Sequence, residues 1–236
     1  MKYDKLHLFT DILAAISIAI FVICVAVTAT LFFRPLYYAD IERLDIAERS
    51  GMEEAEIREN YDALIDYNSV LISSYLEFPT LPMSDSGREH FAEVRRIFVF
   101  FQYGIEIFGT LAACFIIIGR RIGRKRAQLV DSAPPKKGRL LLMSGATTLA
   151  VPVVLGAVAL LGWEKLFVLF HEVVFDNDYW IFDDATDPVI KILPDEFFMH
   201  CLIMIVAIIV IAAVLLILAG AIRFHRYSSI TGKITG

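Results

Sequence analysis

The sequence predicts an all-α integral membrane protein. It has four transmembrane helices, N- and C-termini in the cytoplasm, and amphipathic or interfacial helices on the outer side that cap the bundle. Three observations predict this. The chain is 57% hydrophobic, well above the 45–50% of a typical soluble domain, and its mean hydropathy is +0.63. Four apolar runs are each long enough to cross a bilayer core, which takes about 20 helical residues. Finally, the charges are segregated by loop although the net charge is only −5.

The runs are 12–33, 97–119, 140–161 and 201–222. The first, third and fourth carry no charge, and the second carries Glu106 alone. At that depth a helix satisfies its own backbone hydrogen bonds, so each run reads as a helix. Pro152 inside the third predicts a kink. The first run is longer than the 7–15 residues of a signal-peptide core and reads as an uncleaved anchor. Cys24, Cys114 and Cys201 all lie within apolar runs and read as small hydrophobes, not as a disulfide or zinc framework. The whole chain, 1–236, reads as one membrane domain.

Lysine and arginine set the orientation. The loop 120–139 holds Arg120, Arg121, Arg124, Lys125, Arg126, Lys136, Lys137 and Arg139 against Asp131, so it reads as cytoplasmic. The terminal bases, Lys2, Lys5, Arg223, Arg226 and Lys233, agree. Loops 34–96 and 162–200 are acidic and read as outer.

In the first outer loop, residues 53–76 place Ile57, Tyr61, Leu64, Ile65, Leu71, Ile72 and Tyr75 close to a helical period. This predicts an amphipathic helix, ended by Pro79, Pro82 and Gly87. The stretch SDSGREHFAEVRRIF follows at 84–98. Ser86 and Glu89 have the spacing of a capping box, so a helix should start there and run unbroken into the second span. His90 would sit in its first turn, where the positive helix end disfavours imidazolium. Neutral imidazole is what a general base needs. A solvated or capping histidine fits the same pattern.

In the second outer loop, 163–175 reads WEKLFVLFHEVVF. Glu164, Lys165, His171 and Glu172 fall on one narrow arc of an otherwise apolar helix, with Trp163 at headgroup level. An ordinary interfacial histidine is again compatible. The acids after Asp176 alternate as in a calcium loop. They lack its glycine and terminal glutamate, so no metal site is expected and a turn built on Asx side chains is favoured. Glu106, near mid-membrane, reads as a protonated structural glutamate bonded by Gln102 one turn outward. His200 reads as interfacial, and His7 and His225 as cytoplasmic. No nucleotide-binding or serine-hydrolase motif occurs.

SDSGREHFAEVRRIF, NYDALIDY and WEKLFVLFHEVVFDNDYWIFDDATDPVIKILPDEFF resemble the signatures of the bacterial four-span lipoprotein intramolecular transacylase family, in order and spacing over nearly the whole chain. The resemblance implies an enzyme of the bacterial cell membrane with an outward site. That enzyme moves the sn-2 acyl chain of a lipoprotein's diacylglyceryl-cysteine to the cysteine α-amine. It implies His90 and His171 as catalytic residues. Ser86, Trp163, Asn177, Asp178 and Trp180, from the same segments, are the candidate substrate-binding residues. No cofactor is expected. The expected partners are a diacylglyceryl lipoprotein and membrane lipids, with no nucleic acid; the oligomeric state is left open. Two other readings stay open: a non-enzymatic membrane protein that binds an extracellular partner, and a metal-dependent hydrolase using the acidic loop.

Overall fold

A computed structural model describes residues 2–72, 75–130, 138–159 and 162–234. Among these residues the secondary structure is helical, with no strand. The helices are α1 (Lys2–Phe32), α2 (Arg34–Arg43), α3 (Ile46–Ser50), α4 (Glu54–Tyr67), α5 (Asp85–Val130), α6 (Arg139–Ala159), α7 (Trp163–Val174) and α8 (Asp195–Ile234), with a 3₁₀ turn at Pro188–Lys191. Three described stretches are long and apolar enough to cross a membrane: Asp4–Phe32, Asp85–Lys125 and Asp195–His225. The predicted third span corresponds to α6. Its described apolar stretch, Arg139–Val154, is shorter, and residues 160 and 161 lie outside the described residues. So do 131–137 of the basic loop, with Asp131, Lys136 and Lys137.

The chain divides into two compact units. The first takes residues 1–25, 103–155 and 206–236, and so the apolar lengths of α1, α5, α6 and α8. Small residues let these helices approach. A Cβ added at Gly104 would lie 2.6 Å from Cys24 Sγ, and one at Gly145 would lie 2.8 Å from the Ala213 carbonyl oxygen. Such close approach is how helices associate where lipid is the solvent. Ser144 and Thr148, both fully buried, return their hydroxyls to the carbonyls of Leu140 and Ser144 at 2.8 Å. Ile107, Ile117, Val153, Leu215 and Ile222 face outward and exposed, an apolar surface that belongs in hydrocarbon rather than water.

The second unit takes residues 26–102 and 156–205. Its core is continuous across α2, α4, α5, the 3₁₀ turn and the start of α8. Tyr37 stacks on Tyr61 with ring centroids 3.7 Å apart, and Phe197 meets Tyr37 edge-on at 5.0 Å. The buried Tyr37 hydroxyl donates to the Ile192 carbonyl at 2.6 Å, so its polar atom is satisfied.

The amphipathic helix is present with its expected face: Ile57, Tyr61, Leu64 and Ile65 are buried. It ends at Tyr67, well before residue 76. Asn68 turns its side chain back to the Leu64 carbonyl at 2.8 Å, and Arg95 of α5 takes the carbonyls of Tyr67 and Ile72. These bonds hold the chain in a non-helical path. Leu71 and Tyr75, expected on the apolar face, are 88% and 85% exposed. Residues 73 and 74 lie outside the described residues.

Candidate active site

α5 runs unbroken from Asp85 to Val130, as the sequence predicts, but its start is built differently. The cap is Ser84, not Ser86. Ser84 Oγ accepts the Gly87 N–H at 3.0 Å, while Ser86 is exposed and meets Ser84 Oγ at 2.9 Å. Glu89 does not close a capping box; it pairs with Arg96 at 3.1 Å. The deciding factor is tertiary. Asp187, buried, accepts the Ser84 N–H on Oδ1 at 2.8 Å, bringing negative charge to the helix N-terminus. The approach is so close that a Cβ at Gly87 would lie 2.3 Å from that oxygen.

With α5 starting at Asp85, His90 falls in the second turn and is only 5% exposed. Rings surround it: Phe175 at 4.9 Å, Phe182 at 5.4 Å, Phe91 at 5.7 Å and His171 at 6.1 Å between centroids. Its Nδ1 is buried without a hydrogen-bond partner. Burial, and then the neighbouring His171, push the imidazole down to about 4. His90 is thus neutral at neutral pH because it is desolvated, not because it caps a helix end.

His171 stands in the third turn of α7, a helix with no fully buried residue. Its Nδ1 lies 2.7 Å from the Phe167 carbonyl, one turn back. A carbonyl only accepts, so this nitrogen carries the hydrogen and Nε2 carries the lone pair. Burial moves this imidazole down as well, against the opposing effect of the carbonyl bond. Trp180 stacks on the ring at 4.7 Å.

The segment after α7 closes around both histidines. Phe175 and Phe182 pack on His90, and Trp180 packs on His171. Asn177 donates Nδ2 to both carboxylate oxygens of Glu93, at 3.1 and 3.2 Å. Its own Oδ1 accepts the Tyr179 N–H, and Asp183 Oδ1 accepts the Ala185 N–H; these are the Asx turns expected of this acidic stretch. Of the predicted substrate-binding residues, Asn177 and Trp180 join the histidines. Trp163, two turns before His171, donates Nε1 to Asp195 at 3.0 Å. Asp178 is exposed, its carbonyl accepting the Ile181 N–H. Sequence reasoning missed Glu93, Phe175, Phe182 and Asp187. The position of Glu93, three residues after His90 on one helix face, was the available signal.

Two other expectations change. Gln102 does not bond Glu106: its side-chain nitrogen goes to the carbonyls of Asn68 and Phe98, and its oxygen takes the Val70 N–H. His200 is not merely interfacial: its Nδ1 lies 2.8 Å from Oδ2 of Asp40, a fully buried carboxyl. A cavity of about 380 Å³ is lined by Arg49, Phe167, Ile190, Lys191, Leu193, Pro194 and Asp195. Neither site histidine lines it.

Two neutral imidazoles in an aromatic enclosure suit proton transfer between groups that a substrate supplies. Comparison with known proteins points the same way. The family model of the lipoprotein intramolecular transacylase matches residues 12–198. The fold is similar to that of the membrane integral lipoprotein intramolecular transacylase of Bacillus cereus, at 32% identity and a TM-score of 0.79, covering 98% of this chain and 99% of that one. Two structures of the Bacillus cereus protein with a single histidine replaced are equally similar. The arginine variant has a TM-score of 0.77, covering 99% of this chain and 96% of that one. The alanine variant has a TM-score of 0.80, covering 96% and 97%; both are 32% identical. No curated protein sequence matches the chain. With the family match spanning both histidine segments and the structural match nearly the full length of both proteins, this chain belongs to the lipoprotein intramolecular transacylase family.

Proposed function

We propose that this protein is an O-to-N acyltransferase acting within one lipoprotein substrate, moving an acyl chain of the diacylglyceryl-cysteine to the cysteine α-amine and leaving a lyso-form lipoprotein. The observation that carries the reading is the His90–His171 pair, 6.1 Å between ring centroids and depressed below the usual histidine range. The amine nitrogen attacks the ester carbonyl carbon, forming a C–N bond and a tetrahedral oxyanion. The surplus proton on nitrogen passes to an imidazole. The C–O bond then breaks, and the departing glyceryl oxygen takes a proton, giving an amide and a free hydroxyl. His171 is the principal base, because the Phe167 carbonyl fixes the Nδ1 hydrogen and keeps the Nε2 lone pair available. His90 is its partner. Amine and ester belong to one molecule, so proximity supplies much of the rate and no covalent acyl-enzyme is needed.

In this reading the protein spans the cell membrane four times, with α6 as the third span, both termini and the basic loop in the cytoplasm, and the histidine site outside. The Lys/Arg asymmetry supports this arrangement. The exposed apolar side chains of α7, among them Val168, Leu169, Phe170 and Val173, support a helix lying at the interface where acyl chains enter.

The test is tandem mass spectrometry of a diacyl lipoprotein's N-terminal peptide from membranes with and without this protein. Appearance of N-acylated cysteine on a monoacyl glyceryl group is expected; an unchanged diacyl N-terminus rejects the reading. Thiol labelling of intact cells should reach a cysteine at position 86 and spare one at position 124. The reverse pattern rejects the orientation.

A further inference from the structure

The substrate's α-amine, with a pKa near 8, arrives largely as an ammonium at neutral pH. Both histidines meet it neutral and offer no charge to hold it. A cation entering an enclosure of Phe175, Trp180 and Phe182 needs a counter-charge. Glu93 stands three residues from His90 on the same face of α5. Its carboxylate is half-buried and is held on both oxygens by Asn177 Nδ2, from the segment that also carries Trp180 onto His171. That one nitrogen leaves further lone pairs on each oxygen. The arginines of α5 nearest to it in sequence have other partners: Arg96 pairs with Glu89, Arg95 binds the carbonyls of Tyr67 and Ile72, and Arg88 reaches the Leu76 carbonyl. Beside it His90 keeps a buried Nδ1 without a partner, an incomplete site that a ligand's polar group would complete.

We propose that Glu93 is the subsite for the substrate's α-ammonium group, with Asn177 as the residue that positions the carboxylate. The inference rests on the transacylase reading and names what that site recognises: a primary amine beside an apolar diacylglyceryl group. Glu93 takes no part in bond making. It holds the amine next to the imidazoles while its proton is lost, and the aromatic faces around it add cation–π attraction. An N-blocked lipoprotein would therefore fail at binding as well as at chemistry.

The probes are two non-transferable cysteinyl lipopeptides whose chains are ether-linked, one with a free α-amine and one with that amine replaced by hydrogen. Binding of each to the purified full-length protein in detergent is measured at pH 7. The wild type should prefer the amine-bearing probe by roughly ten- to hundredfold, the range of a charged hydrogen bond. Glu93→Gln should lose the preference while binding the des-amino probe as the wild type does. Titrating the wild type to pH 10 gives a second readout that needs no variant. The amine becomes neutral while both histidines stay neutral throughout, so the preference should collapse. A wild type without preference, a preference surviving in Glu93→Gln, or one persisting at pH 10 overturns the proposal. Conversion of the ester-linked substrate is assayed in parallel. Conversion without amine preference would sink only the Glu93 subsite, whereas absence of conversion would sink the transacylase reading.

Discussion

The His90–His171 pair and the His200–Asp40 pair are two settings for imidazole in the same compact unit. His200 sets Nδ1 2.8 Å from a carboxyl that is itself fully buried, with Arg43 3.6 Å from the other oxygen. That ring has a partner and a fixed place. His90 has aromatic neighbours and an empty Nδ1, and His171 spends one nitrogen on a neutral carbonyl. An acid beside a histidine holds its hydrogen; an apolar cage disfavours the charged form and leaves a nitrogen open. The contrast teaches that residue type alone does not decide what an imidazole is free to do. What the second nitrogen touches does.

Removing the open pair should give the largest effect. His171→Ala and His90→Ala should each lower conversion of diacyl lipoprotein by about 10²–10⁴, the usual contribution of a general base, while the protein inserts at wild-type level. Mass spectrometry of the N-terminal peptide measures it. His171→Asn should not restore activity, since an amide cannot carry the proton. Wild-type conversion by either alanine variant would break the comparison.

The next effect concerns how His90 is placed. Gly87→Ala puts a methyl 2.3 Å from Asp187 Oδ1, so Asp187 must leave the Ser84 N–H. A stability loss of about 1–3 kcal/mol is expected from overpacking, with activity falling too. Thermal unfolding in detergent and the lyso-form assay test both; an unchanged midpoint would remove Asp187 as the anchor of α5.

His200→Ala sharpens the contrast from the other side. It strips a partner from buried Asp40 and should destabilise by about 1–3 kcal/mol. The rate per folded molecule should stay near wild type. A rate loss matching that of His171→Ala would mean that the Asp40 pair is not merely structural.

The smallest effect is that of pH on stability. His90 has its folded pKa near 4, below the ordinary 6.5. Between those values the unfolded chain binds more protons, so stability is full above pH 6.5 and is lost as pH falls toward 4. At pH 5 the loss from this group is at most about 2 kcal/mol. His90→Phe should flatten that limb in melts taken from pH 7 to 5. An equal slope in both proteins would show that His90 is not held neutral.

Much of this was legible in the sequence because it follows from local rules. Run length and hydropathy marked the apolar helices, and the 3.6 period marked Ile57, Tyr61, Leu64 and Ile65 as a buried face. The continuity of one helix from the SDSGREH segment through the second apolar run, and a helix over the WEKLFVLFHEVV segment, were also readable, although the cap of the first was not. The failures share one cause. Helix α4 ends early because Arg95, 28 residues past Tyr67, takes its last carbonyl. Ser84 caps α5 because Asp187, 103 residues on, approaches it. The position of Gln102 suggested a bond to Glu106, but the turn at Asn68 and Val70 claimed its amide.

The sequence by itself determined that the chain is helical and membrane-embedded, since composition and period depend only on neighbours along the chain. Motif resemblance also singled out His90 and His171. Only the tertiary structure decided that those two rings lie 6.1 Å apart, that burial rather than a helix terminus keeps His90 neutral, and that Asn177 bonds Glu93 across 84 residues. The physical reason is that desolvation and long-range hydrogen bonds depend on which surfaces meet. A linear pattern records periodicity, but it carries no record of distance between segments that fold together.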